Sequence, residues 1–417
     1  MMDVATHSAA ICRFCEHPLS HTVVDLGMSP LSNAFLKVER LQAMEPFYPL
    51  HALVCDQCFL VQLAEFESPD RIFHDYPYFS SYSDSWLRHA RDYAEMVVER
   101  FGFGTNSFVV EVASNDGYLL QNFTARGIPV LGIEPAANVA EVAQAKGVPT
   151  RVRFFGAELA RELVTEGKQV DLLVANNVLA HVPALNDFVE GIRLILKPHG
   201  VATLEFPHLL RLLQGNQFDT IYHEHFSYFS FTTVERLFAV HGLTIFDVEE
   251  LPTHGGSLRL FVRRQEHSER AVEPAVPDLR RREDEGGITQ LETYHVFAEQ
   301  AMSTKRDLLS FLIAAKDEGK QVVGYGAAAK GNTLLNYCGI RTDLLGYVVD
   351  RSPHKQGYYT PGTHIPVLAP EMIAQTRPDY LLILPWNIKE EIMEQMSFIR
   401  EWGGQFVVPV PSVEVYP

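Results

Sequence analysis

Residues 109–120 read VVEVASNDGYLL, and this segment decides how the rest of the chain is laid out. Four β-prone residues run into a turn of small and polar ones, and Tyr118-Leu119-Leu120 then opens a helical pattern. A second strand, IPVLGIEP (128–135), follows and ends in Glu134 and Pro135. In an open α/β sheet, ligands lie beyond the carboxyl ends of the strands. A small-residue turn lets a ligand approach the backbone, and an acid on the second strand suits ribose hydroxyls. Glu134 is placed for that role, with Glu111, Ala113, Asn115 and Gly117 lining the first turn. Ala113 and Asn115 stand where a dinucleotide fingerprint has glycines, which favours S-adenosylmethionine over NAD. An ordinary strand-to-helix turn is the alternative reading.

Working outward, VDLLVANNVLAHV, GVATLEFPH, LTIFDVEELP and LRLFVRR continue the alternation of strands and helices to about residue 265. Short apolar runs of this kind indicate a mostly parallel sheet buried on both faces. Upstream, SWLRHARDYAEMVVERF (85–101) has helical spacing. The segment HSERAVEPAVPDLRRREDEGG (267–287) is dense in charge and proline and reads as a linker. A long amphipathic stretch (288–320) follows it, and a second strand-turn-helix pattern, QVVGYGAAAKGNTLL (321–335), follows that. Gly324, Gly326 and Lys330 there suit an anionic group at a helix N-terminus, and the next strand, LLGYVVD, ends in Asp350. The loop lacks the Gly-Lys-Ser/Thr ending of a P-loop, so a domain that only packs is the other reading.

Two C-x-x-C pairs, Cys12/Cys15 and Cys55/Cys58, read as one zinc site with four thiolate ligands, closed to water and therefore structural. Two disulfides are disfavoured without a secretion signal. Cys338 reads as a small buried apolar residue. The formal charge of −17, from 52 acidic and 35 basic residues, opposes binding to nucleic acid or anionic lipid. Residues 1–80 hold four basic side chains, Arg13, Lys37, Arg40 and Arg71, against ten acidic ones, so the zinc unit is no nucleic-acid grip. No signal peptide or long apolar run is evident, and the expectation is a cytoplasmic, monomeric protein.

Residues 222–230, YHEHFSYFS, concentrate proton-handling groups. The spacing is not the H-E-x-x-H of a zinc-protease helix, because the residue four after His223 is Ser227. A lone H-x-H could also bind a metal or sit satisfied in a core.

The combination of CxxC…CxxC with YPYFSSYS, EVASNDGYLL, GIEPAANVA, NNVLAHVP, YHEHFSYFS, HGGSLRLFV, VVGYGAAAKGNTLL, VVDRSPHKQG and PGTHIPV resembles the C-methyltransferases of nucleotide-linked 4-keto-deoxysugars. The likeness is strongest to the C-3 branch that serves D-tetronitrose biosynthesis, and it spans essentially the whole chain. It implies an α/β protein in three parts: a zinc-binding domain (1–75), a class I (Rossmann-like) methyltransferase domain (76–265) and a C-terminal Rossmann-like α/β domain (286–417). It further implies transfer of a methyl group from S-adenosylmethionine to C-3 of a TDP-linked 3-amino-4-keto-deoxysugar in antibiotic sugar biosynthesis, through base-catalysed enolate formation.

On that reading His225 is the base, Glu224 orients or assists it, and Tyr222 and His181 donate to the enolate oxygen. Pro135, Phe155, Asn177, Tyr78 and Ser80 join the cofactor site, with Phe154, Tyr76 and Ser81 near it. His223, His254, Ser257, Gly326, Lys330, Asn332, Asp350 and Lys355 are the sugar-nucleotide candidates. For His181, Tyr222 and His223 a hydrogen-bonded core or wall position is an equal reading, since one strand cannot aim consecutive side chains at one ligand. An O- or N-methyltransferase, a zinc-containing nucleic-acid methyltransferase and a non-catalytic nucleotide-sugar binder are the rival functions. Only the first shares the cofactor site without needing a base.

Overall fold

The computed structural model describes residues 10–69, 71, 80–82 and 84–417. The N-terminal unit is antiparallel: β1 (His21–Ser29), β2 (Tyr48–Val54) and β3 (Val61–Leu63). In β2 the strand period of two buries Leu50, Ala52 and Val54 and leaves Tyr48, Pro49, His51 and Leu53 less covered.

The central unit begins with α1 (Asp84–Phe101) and runs through β4 (Val109–Val112), β5 (Val130–Ile133), α2 (Ala137–Ala145), β6 (Thr150–Arg151), α3 (Ala157–Thr165), β7 (Val170–Asn176), α4 (Leu185–Ile195) and β8 (Leu196–Pro207). A two-residue strand β9 (Ser227–Tyr228), α5 (Phe231–Val240), β10 (Leu243–Leu251) and β11 (Ser257–Arg264) complete it. The sheet order is β10-β11-β8-β7-β4-β5-β6. Strands β4 to β8 pair in parallel, and β11 lies antiparallel between β8 and β10. This is the expected class I methyltransferase sheet. The order turns back between β4 and β7, so their carboxyl ends flank the crevice where ligands bind such sheets. Strand β9 does not join this sheet. It pairs with β3, so the N-terminal sheet takes its fourth strand from the segment just after YHEHF.

The charged stretch read as a linker instead forms a helix, α6 (Ala275–Glu285). Its apolar Val276 and Leu279 are buried, and Glu283 is fully enclosed. The Glu283 carboxyl accepts from His208 Nε2 at 2.7 Å, from the Phe231 and Thr232 amides at 2.6 and 2.7 Å, and from the Thr232 hydroxyl at 2.6 Å. It thereby satisfies the otherwise unpaired first N–H groups of α5. The charge density of the segment concealed one internal acid with a capping role.

The long α7 (Leu291–Asp317) then leads into β12 (Val322–Tyr325), α8 (Ala329–Cys338), β13 (Val348–Val349), β14 (Val367–Leu368), β15 (Tyr380–Ile383), β16 (Gln405–Val408) and β17 (Glu414–Tyr416). Their order is β14-β13-β12-β15-β16-β17, parallel except at β17, as expected of a Rossmann-like unit. Helix α7 packs on β1, and one apolar core joins Val23, Leu26 and Leu50 of the N-terminal sheet to Leu308, Leu312 and Leu334. The N-terminal unit is thus wedged against both larger units. No helix among the described residues is long and apolar enough to cross a membrane.

Replacing Glu283 with Ala leaves His208 and the start of α5 buried without their acceptor. We expect a loss of about 3–5 kcal/mol, the usual result of removing one partner from a buried polar pair. The measurement is the denaturant midpoint, which should fall without a change in slope.

Candidate active site

The turn after β4 has the geometry its sequence foreshadows. Ala113 and Asn115 take φ of 53° and 48°, and Gly117 takes 77°, so two non-glycine residues hold the left-handed backbone that glycine would adopt freely. Glu134 holds this strained turn: its Oε2 accepts from the Asn115 amide and its Oε1 from the Ala136 amide, both at 2.9 Å. Each oxygen keeps a further lone pair for a ribose hydroxyl. Gly132 leaves room for the turn, because a Cβ there would lie 2.3 Å from Ser114 Oγ. Glu111 is buried beneath; burial first, then Glu134 and Asp116, push its carboxyl well above the usual range.

Ser80 donates its amide to Asn115 Oδ1 at 2.9 Å, and Lys146 reaches both Ser81 Oγ (2.8 Å) and Asp116 (3.0 Å). Ser80 and Ser81 are therefore tied to the turn after β4. Tyr76 and Tyr78 lie outside the described residues. Pro135 is half-buried at the head of α2, and Asn177 takes φ of 54° with its amide on the Glu205 carbonyl at 2.7 Å. Phe155 packs edge-on to Phe188, with ring centroids 5.4 Å apart, while Phe154 is exposed. One residue escaped the sequence reading. Asn176, buried at the end of β7, has an amide whose oxygen and nitrogen both lack a partner among the described residues. The strand period was the available signal: it puts Asn176 on the face of Val174, which pairs with Glu111.

In the YHEHF loop the imidazoles are fixed by carbonyls. His225 Nδ1 lies 3.3 Å from the Thr220 carbonyl, which can only accept, so Nδ1 carries the hydrogen and Nε2 the lone pair. The Tyr222 hydroxyl lies 3.0 Å from that Nε2 and donates to it. His181 Nδ1 likewise donates to the Glu224 carbonyl at 2.7 Å, and its ring meets His225 edge-on with centroids 4.8 Å apart. Burial lowers His225 well below an ordinary imidazole and His181 to about 4, so both are neutral near pH 7. His181 then presents an unprotonated Nε2. This corrects its expected part as a donor to an oxyanion, since its one N–H is committed to Glu224. Glu224 is buried, which raises its carboxyl to about 7 against the hydrogen bond from Asn33 Nδ2 at 2.7 Å.

His223 is not brought together with these groups. Its Nε2 donates to the Pro49 carbonyl at 3.2 Å, and its ring packs edge-on to Tyr48 and Phe66 of the N-terminal unit. The reason is that the chain turns here, with the His225 amide on the Tyr222 carbonyl at 2.9 Å, which brings Tyr222 and His225 together and leaves His223 facing the N-terminal unit. The Ser257 hydroxyl is occupied by the Thr253 carbonyl at 2.9 Å, and Asn332 Nδ2 holds the Ser32 carbonyl at 2.7 Å. Both therefore act within the chain here.

His254 (φ 55°) sits edge-on to Trp86, and Lys330 lies over the Trp386 ring with its ammonium 2.7 Å from Asn387 Oδ1. Burial, and then the Lys330 charge, lower His254 to about 4. Asp219 accepts from Trp386 Nε1 at 2.8 Å, and burial raises it to about 6. These side chains join the central and C-terminal units. Gly326 takes φ of 89°, and a Cβ there would lie 2.5 Å from Pro385. Asp350 holds the glycine turn by accepting from the Ala327 amide at 2.8 Å, and Lys355 donates to the Ala327 carbonyl at 2.8 Å. That repeats the device of Glu134 in the second unit.

The four N-terminal cysteines bring their sulfurs within 4.8 Å of one another. Cys12–Cys58 and Cys15–Cys55 are each 3.5 Å apart. Ligands ~2.3 Å from a tetrahedral zinc have ~3.8 Å edges, so the set fits the ion without rearrangement. Gln62 Nε2 donates to Cys12 Sγ at 3.2 Å, and the Gln57 amide to Cys55 Sγ at 3.4 Å, an outer shell suited to thiolates.

Comparison with known proteins agrees with these three units. Family models match a zinc binding domain over residues 12–73, a methyltransferase domain over 86–248 and a C-methyltransferase C-terminal domain over 252–411. The chain is 37% identical over 407 residues to C-methyltransferase NovU of Streptomyces niveus, covering 97% of this chain and 96% of that protein. Among solved structures it is similar to a Pyrococcus horikoshii OT3 protein, at 18% identity and TM-score 0.37, over 48% of this chain and 99% of that one. It is also similar to the SAM-bound magnesium protoporphyrin IX methyltransferase of Synechocystis PCC 6803, at 16% identity and TM-score 0.34, over 47% of this chain and 88% of that one.

Two measurements check this geometry. Metal analysis of protein purified without chelator should give one zinc per chain, and Cys58→Ser should lower both the zinc content and the melting temperature. Glu134→Ala removes the acceptor that holds the Asn115 turn. Calorimetry should then show S-adenosylmethionine binding at least about tenfold weaker, as expected on losing charge-assisted hydrogen bonds.

Proposed function

The chain belongs to the C-methyltransferase family that includes NovU and uses S-adenosylmethionine, and from that premise we propose that it methylates C-3 of a TDP-linked 3-amino-4-keto-deoxysugar, with His225 as the base. The observation that carries the reading is the pairing of Tyr222 with an uncharged His225 whose Nε2 lone pair is fixed by the Thr220 carbonyl. Transfer to oxygen or nitrogen needs no such base, because those atoms already carry a lone pair. A carbon next to a ketone must first give up its proton.

The bound cofactor supplies an electrophilic methyl group on a sulfonium. The residues of this chain handle the proton. His225 Nε2 takes the C-3 hydrogen, directly or through the Tyr222 hydroxyl, and the electron pair moves onto the ketone as an enolate. The nucleophilic carbon would then accept that methyl group, its new C–C bond replacing the C–S bond as the sulfur leaves as a neutral thioether. Protonation turns Nε2 from acceptor into donor. The Tyr222 hydroxyl, no longer needed to donate to it, is released to hydrogen-bond the enolate oxygen at the moment charge develops there. Glu224 assists as a carboxylate beside this pair.

A nucleotide sugar as substrate is favoured by the second glycine turn with Asp350 and Lys355, and by Lys330 in the contact between units. The excess of acidic residues speaks against nucleic acid. Service in antibiotic sugar biosynthesis, a cytoplasmic location and a monomeric state complete the proposal.

His225→Asn should reduce turnover on the order of 10² to 10⁴ while cofactor affinity stays unchanged. With TDP-4-ketosugars, the wild type should also exchange the C-3 proton with deuterated solvent, as NMR would show. A near wild-type rate in His225→Asn would return the histidine to a structural role. Methyl transfer to the amino or a hydroxyl group would mark an N- or O-methyltransferase.

The pH profile gives a separate check. Groups needed in their deprotonated form cost activity as pH falls through their pKa. The wild-type rate should therefore drop first near pH 7, as Glu224 takes up a proton, and more steeply below 6.5, as His225 does. His225→Asn should keep only the first step.

A further inference from the structure

The loop between β1 and β2 reaches across the molecule. Asn33 gives its side-chain N–H to Glu224 Oε1 at 2.7 Å. The preceding residue, Ser32, accepts from Asn332 Nδ2 of α8 at 2.7 Å, and its hydroxyl lies 3.4 Å from Thr333 Oγ1. Thr333 Oγ1 in turn donates to the Ile221 carbonyl at 3.2 Å, next to Tyr222. Three residues further on, Leu36 and Tyr359 exchange backbone hydrogen bonds of 2.9 and 2.8 Å. Two consecutive residues of the zinc-bearing unit therefore touch the catalytic loop on one side and the C-terminal helix on the other.

We propose that Asn33 is a positioning residue for methyl transfer, acting through Glu224: its amide holds the carboxylate in place and in its ionised form. The idea rests on the reading of residues 222–225 as the catalytic loop. A buried carboxylate is costly unless it is hydrogen-bonded, and Asn33 is the one side-chain donor to Glu224 among the described residues. The Glu224 backbone carbonyl accepts from the His181 ring, and His223 and His225 flank Glu224 in sequence. All three have lowered pKa values, so none supplies a compensating positive charge near pH 7. An amide has no charge to lose, so the support it gives does not vary with pH.

The test uses full-length, zinc-loaded protein with Asn33→Leu and Asn33→Asp, beside His225→Asn. Asn33→Leu keeps size and removes the donor. It should lower kcat roughly tenfold to a hundredfold, the usual range for a hydrogen bond to a charged group, with little change in KM, zinc content or cofactor affinity. The acidic step of its pH profile near 7 should move to higher pH, and the steeper step below 6.5 should stay. Asn33→Asp sets two carboxyls side by side, which can share one proton. It should lose activity only at alkaline pH, as the shared proton leaves, and regain it as the pH is lowered, a dependence that a purely structural role would not give. It also keeps the test open should Asn33→Leu fold poorly.

If Asn33→Leu folds with zinc and keeps wild-type kcat and pH profile while His225→Asn is inactive, the positioning role is overturned and the proposed chemistry stands. If His225→Asn is also fully active, the reading of the loop falls first.

Discussion

Gln62 carries the interaction on which the site depends. Its side chain donates to the thiolate position of Cys12 and accepts from the Arg13 amide at 3.0 Å, so it is held by the metal knot. Its backbone belongs to β3, where Gln62 and Val61 pair with Ser227 and Tyr228, and the next amide, of Leu63, donates to the Phe226 carbonyl at 3.0 Å. The strand that leaves YHEHF is thus anchored to the zinc-bearing sheet, while Phe229 just beyond it bridges to His208 at the end of β8. A two-residue strand has little stability of its own. It holds because its partner is closed by a metal tetrahedron whose binding energy is also folding energy. A metal with no open coordination position can therefore govern the chemistry without taking part in it.

Burial around the catalytic loop does a second kind of work. In water the histidines would be partly protonated near pH 6.5, and the carboxyls fully ionised at neutral pH. Removing solvent lowers His181, His225 and His254 and raises Glu224, Glu111 and Asp219. Both movements disfavour charge, and they leave neutral bases beside acids close to their titration points. Carbonyls then select the tautomer: Thr220 for His225 and Glu224 for His181. One physical cause, low solvent exposure, thus keeps these imidazoles neutral, as the proposed proton transfer requires.

The mostly parallel sheet, the metal ligands and the strand, turn, strand and acid sequence of both larger units were legible because each rests on local pattern: apolar runs, C-x-x-C spacing, a turn followed by an acid. What could not be read depends on contacts distant along the chain. His223 read as either a sugar-nucleotide candidate or a core residue; it faces Tyr48 and Phe66, and the sequence carries no sign that β9 would pair with β3. His181 was legible as a site residue but not as an acceptor, because its tautomer is set by a carbonyl from the loop after β8. The segment 267–287 failed for another reason. Composition recorded its surface, and the single inward acid, Glu283, outweighs that record through four hydrogen bonds.

Why three units meet at one loop follows from the chemistry proposed for it. An enolate carbon can be quenched by a proton from water as readily as it can be methylated, so the loop has to be dry when the proton leaves. The cofactor sheet covers it with His181, the N-terminal unit with Asn33, and the C-terminal unit supports it through Thr333 on the Ile221 carbonyl and Trp386 on Asp219. The β3–β9 pairing joins the N-terminal unit to the central one, and the apolar core of β1, α7 and α8 joins it to the C-terminal one. A conventional methyltransferase sheet acting on an exposed nitrogen or oxygen has no such need. On the chemistry proposed, the added units are the means by which a carbon nucleophile is kept away from solvent.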